Sequence, residues 1–105
     1  MTGVAYEQNG EQRLARLRAE LDGIDQELLD TLRRRIDCCV RIARHKSTYD
    51  IPMMQPGRIE LVKGRAAQYG ETHSIDIGFL ENLYDLIIGE TCRVEDLVMG
   101  NDATS

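Results

Sequence analysis

LRRRIDCCVRIARHK, residues 32–46, decides how this chain is read. Its residues favour helix, and Leu32, Ile36, Cys39 and then Ile42 or Ala43 recur at helical spacing. Arg35 and Lys46 nevertheless fall where a buried apolar stripe should run. Upstream, Leu14, Leu17, Leu21, Ile24 and Leu28 continue the stripe, and steps of seven from Leu14 pass through Leu21 and Leu28 to reach Arg35 and then Ile42. From Glu11 to about His45 there is no proline, and only Gly23 disfavours helix. The pattern predicts one helix of about 34 residues, a rod of roughly 50 Å, against about 30 Å for the width of a small domain. A rod of that length needs a second chain, or must fold back, to cover its stripe.

Downstream, STYDIPMMQPG (residues 47–57) holds both prolines and ends in glycine, which marks a break. Pro56 suits the first turn of a second helix, expected over Gly57 to about Tyr69, with Ile59, Val62 and Ala66 on one side. Residues 70–74 read as a turn. Asp76 is placed to cap a third helix ending near Met99, with the stripe Ile77, Leu80, Tyr84, Ile87, Thr91, Glu95 and Val98. The expected organisation is all-α and strand-free: a loose arm over residues 1–10, a helical domain over 11–99, and a tail over 100–105.

Composition narrows the function. The chain has 105 residues, enough for one domain with a small core that oligomerisation would help stabilise. A net charge of −5 argues against nucleic acid as the main partner, but a local cluster of Arg and Lys still suits a small anion. Cys38, Cys39 and Cys92 form neither a CxxC nor a metal-ligand spacing and read as small core hydrophobes. An odd cysteine count without a signal peptide predicts a reduced, cytoplasmic protein. No apolar run approaches the length of a membrane span.

The polar residues on the apolar stripes carry the chemistry. Lys46 follows Arg35 by about three turns, so the two share a helix face about 16 Å apart. In the third helix Thr91 and Glu95 are one turn apart and also face inward. Taken singly, each has an ordinary reading: the cations extend to solvent, and Glu95 pairs with one of them. Together they describe a charged cavity, and buried cations require an anion. Lysine, arginine, a hydroxyl and a carboxyl, with neither histidine nor metal, suit recognition of a small carboxylate. Arg18 lies nearly five turns before Arg35, about 25 Å away, and cannot reach the same ligand within one chain. In an antiparallel dimer of the long helices the partner subunit's Arg18 could; a solvated surface arginine is the other reading.

LRAELDGIDQELLDTLRRRI, the lysine of RHK, the segment with Arg58, and LYDLIIGETCRVED together resemble the all-helical chorismate mutases over about residues 12–98. The resemblance implies a three-helix type II fold in an intertwined homodimer, with the long first helix spanning both subunits, and no cofactor. It makes Arg18 the arginine donated across the dimer and Arg35 the grip on a substrate carboxylate. Lys46 becomes the lysine at carboxylate and ether oxygen, and Arg58 the arginine of the second helix. By the same resemblance Gln55 would hold the C4 substituent, Thr91 would contact the ring carboxylate, and Glu95 would hydrogen-bond the ether oxygen. Many family members carry a glutamate for the C4 hydroxyl where this chain has Ile59. The string IPMMQPGRI resembles a subgroup from antibiotic pathways that rearranges 4-amino-4-deoxychorismate on the way to 4-aminophenylalanine. The expected activity is that mutase reaction, with chorismate as the alternative substrate. Isochorismate pyruvate-lyases, which share the scaffold and have an apolar residue at this place, are a third reading. A helical dimerisation or small-anion-binding module is the non-enzyme reading; it explains the heptads but not the inward Arg, Lys, Thr and Glu.

Overall fold

The computed structural model describes the backbone of residues 2–52 and 56–104, and the side chains of residues 9–52 and 57–100. Three α-helices follow in order: α1 (Thr2–Thr48), α2 (Pro56–His73) and α3 (Ile77–Thr104), with no strand among the described residues. Among the described residues, no helix is long and apolar enough to cross a membrane.

α2 and α3 start where the sequence chemistry says they should, and all three helices extend further than expected. Pro56 opens α2, where its missing N–H costs nothing because the first turn has no intrahelical acceptor for it. Asp76 caps α3: its Oδ2 accepts the Phe79 amide at 2.8 Å, and its carbonyl accepts the first helical bond from Leu80 at 3.1 Å. α1 begins at Thr2, ahead of the expected start at Glu11; residues 2–10 hold no proline, and Gly3 and Gly10 do not stop the helix. Likewise α3 continues past Gly100 to Thr104.

The turn expected over residues 70–74 is corrected. Gly70 to His73 form the last turn of α2, and the chain reverses only at residues 74–76. Ser74, with φ of 58°, takes the left-handed position, and the Ile75 amide donates to the Gly70 carbonyl at 2.9 Å. This is a Schellman closure, in which the residue after the left-handed one bonds back to the last turn. The same device ends α1: Asp50 has φ of 55°, and the Ile51 amide donates to the Lys46 carbonyl at 2.8 Å. Neither closure uses glycine. Gly70 serves close approach instead, since a Cβ there would lie 2.7 Å from both the Ile75 carbonyl oxygen and Leu80 Cδ1.

The chain divides into two units, Met1–Arg35 and Ile36–Ser105. The first is the N-terminal part of α1. There Leu14, Leu17, Leu21, Ile24, Leu28 and Leu29 are each between 46% and 61% exposed, so the leucine stripe is left largely in water. The second unit comprises the end of α1 with α2 and α3, and α2 packs on α3. Its buried apolar residues include Ala43, Ala66 and Leu80, and Ile36, Ile59, Val62, Leu83, Ile87, Ile88 and Val98 are half-buried in the same unit.

Candidate active site

Within the second unit, Thr91 and Glu95 are both 8% exposed, which makes them as buried as the apolar core. They stand one turn apart on α3, on the face that also carries Leu80 and half-buried Tyr84. A buried carboxyl and hydroxyl are costly unless they are partnered, and each has at least one hydrogen-bonding, ionic, ring or electrostatic interaction. Lys46 lies in the last turn of α1, where the negative end of the helix favours a cation, and it is half-buried. Its backbone is pinned by the Ile51 amide described above.

Arg35 closes the first unit. Among three successive arginines only Arg35 is sheltered, being half-buried while Arg33 and Arg34 are exposed. Arg35 and Lys46 also each have at least one such interaction. The cation in the leucine seam is therefore the one withdrawn from water. Arg18 and Arg58 are exposed. Ile59 is half-buried on α2 and its neighbour Glu60 is exposed, so the helix turns an alkyl group inward at this place and its carboxylate outward. Gln55 lies outside the described residues.

Lys46, Arg58, Ile59, Thr91 and Glu95 thus belong to one packed unit. Sequence reasoning missed a further feature of that unit: Lys63 Nζ meets Asp85 Oδ1 at 2.6 Å, an ion pair that joins α2 to α3. The signal was present, because Lys63 follows Ile59 by one turn and so occupies the inward side of α2. The hydrogen bond to Asp85 raises the Lys63 pKa, partly opposed by desolvation. On the outer side of α3 the hydrogen bond from Arg93 lowers the Glu90 carboxyl pKa.

The chain matches the family described as chorismate mutase type II over residues 17–96. It belongs to that family. The match takes in all of the residues just placed. The chain is also 63% identical over 93 residues to a 4-amino-4-deoxychorismate mutase of Streptomyces venezuelae, an alignment covering 89% of this chain and 90% of the relative. It is 54% identical over 80 residues to a 4-amino-4-deoxychorismate mutase of Streptomyces pristinaespiralis, covering 76% of this chain and 62% of that longer relative. No solved structure matches significantly.

Proposed function

We propose that this chorismate mutase family member converts 4-amino-4-deoxychorismate to 4-amino-4-deoxyprephenate. The observation that carries the substrate is the 63% identity over nine-tenths of both chains to a relative bearing that name. Ile59 supports it. An alkyl group turned inward, with Glu60 turned out, offers no carboxylate to the C4 hydroxyl of chorismate, and an unpaired buried hydroxyl costs about 1–3 kcal/mol. Gln55 is the remaining candidate partner for the C4 substituent.

The reaction is a [3,3] sigmatropic shift. The ether C–O bond breaks as a C–C bond forms between the enolpyruvyl carbon and the ring, and no proton or electron leaves the molecule. The protein therefore contributes conformation and charge. Arg35 and the partner subunit's Arg18 hold the two carboxylates so that the side chain lies over the ring, a near-attack geometry. Arg58 assists from α2, and Thr91 contacts the ring carboxylate. Negative charge grows on the ether oxygen in the transition state. Lys46 and a protonated Glu95 donate to it from fixed positions, each worth about 3 kcal/mol.

The active form is a homodimer in this reading. The leucine stripe of α1 stands in water in a single chain, and burying each leucine is worth about 1.5–3 kcal/mol. A second copy covers that stripe and brings its Arg18 to the site. Incubating the protein with 4-amino-4-deoxychorismate, chorismate and isochorismate, and following loss of each and release of pyruvate, tests the proposal. Fastest turnover of the amino compound without pyruvate is expected. Faster turnover of chorismate, pyruvate release from isochorismate, or inertness to all three would overturn it.

A further inference from the structure

α2 and α3 run antiparallel, and their contacts give the register. Near the turn, Gly70 lies against Leu80, so close that even a methyl group at residue 70 would collide. Two turns further from the hairpin, Lys63 meets Asp85. The same register places Ile59, one turn beyond Lys63, opposite the stretch of α3 just before Thr91. The inward side of α2 carries small, buried Gly70 and Ala66 near the turn, and larger, less buried Lys63 and Ile59 toward its start. Close backbone packing therefore holds the hairpin end, while a side-chain ion pair spans the helices beside Ile59. The negative Glu81, one turn before Asp85, also acts on Lys63.

We propose that the Lys63–Asp85 ion pair is a positioning device for the substrate site: it sets the start of α2, with Arg58 and Ile59, against the Thr91–Glu95 segment of α3. Lys63 touches no reacting atom; it acts through the residues one turn before it. The pair spans two elements and lies next to the position at which this chain has an alkyl group in place of a carboxylate. The enclosure around the C4 substituent then depends on where α2 is held, since Ile59 has no polar bond of its own with which to fix it.

The proposal rests on the mutase reading for its kinetic arm and stands without it for its structural arm. In the kinetic arm, Lys63→Met and Asp85→Asn each raise KM for 4-amino-4-deoxychorismate about two- to fivefold, the range open to a partly exposed ion pair. They leave kcat within about twofold, the double variant is no worse than the worse single variant, and Lys63→Arg is close to the parent. In the structural arm, amide hydrogen exchange over residues 59–63 of the ligand-free protein is faster in Lys63→Met than in the parent, with little change in Tm. Unchanged KM, multiplied effects in the double variant, or unchanged exchange would each overturn the proposal. If the parent turned over none of the substrates, the mutase reading would fall and the exchange measurement would still decide whether the pair holds α2.

Discussion

The Ile51 amide donates to the Lys46 carbonyl across 2.8 Å, so the chain reversal after α1 closes on the lysine proposed to meet the substrate's ether oxygen. The cap does more than satisfy an orphan carbonyl at a helix end. It fixes the backbone from which the lysine side chain extends, and a displacement of about 1 Å at a catalytic group is enough to slow a reaction severely.

Asp50 makes that closure from the left-handed region, which costs an ordinary L-residue roughly 1–2 kcal/mol and glycine nothing. Asp50→Gly is expected to match or exceed the parent in stability to urea and to keep its kcat/KM. Asp50→Val, β-branched and intolerant of this conformation, is expected to lose about 1–2 kcal/mol and to lower kcat/KM as well. A valine variant with parental stability and rate would show that the turn places no demand on Lys46.

Gly70→Ala pits helix propensity against packing. Alanine gains about 1 kcal/mol over glycine within a helix. Its Cβ would lie 2.7 Å from the Ile75 carbonyl oxygen, part of the Schellman turn, and 2.7 Å from Leu80 Cδ1. Overpacking of this kind costs about 1–3 kcal/mol, and because one of the two neighbours is backbone, the clash wins. Urea denaturation is expected to show a net loss; a gain would mean that the α2–α3 hairpin opens at little cost.

That glycine also marks where sequence reading stops. The stripe from Leu14 to Ile42, the proline at the start of α2 and the aspartate cap of α3 are local signals, and local physics enforces them. The inward placement of Thr91 and Glu95 is legible for the same reason, as two polar residues in register with an apolar stripe. Gly70 reads as a turn because glycine usually means one, yet its role is set by Leu80 across a helix pair, and the left-handed positions fall to Asp50 and Ser74. Lys63 and Asp85 find each other only once α2 and α3 are packed. Arg18 and Arg58 face solvent in a single chain, where spacing alone does not separate a substrate ligand from a surface cation.

Lys46→Ala is expected to lower kcat/KM at least about a hundredfold, the effect of removing a preorganised donor to a developing oxyanion. Circular dichroism should show that the helices persist. Near-parental turnover would remove Lys46 from the mechanism.

In the proposed mechanism Glu95 donates a hydrogen bond to the ether oxygen, which only a protonated carboxyl can do. Loss of that proton would turn the donor into a repelling carboxylate, so on this mechanism kcat/KM is expected to fall toward alkaline pH. Glutamine donates at every pH and has about the same shape, so Glu95→Gln should retain activity and lose that alkaline fall. A flat profile in the parent, or the same fall in the variant, would mean that another group titrates.

The shared site has a genetic test. If each site uses Arg35 of one chain and Arg18 of the other, homodimers of Arg18→Ala and of Arg35→Ala each contain two defective sites. In a hybrid of the two variants, one site carries both lesions and the other carries neither. Unfolding and refolding a mixture of the two inactive variants should therefore restore activity, up to about one quarter of the parental value, because half of randomly formed dimers are hybrids with one intact site of two. Each variant refolded alone supplies the baseline, and distinguishable tags verify that hybrids form. Verified hybrids without recovery would place both arginines in the same chain's site, which the length of helix between them forbids, or would remove one of them from the site altogether.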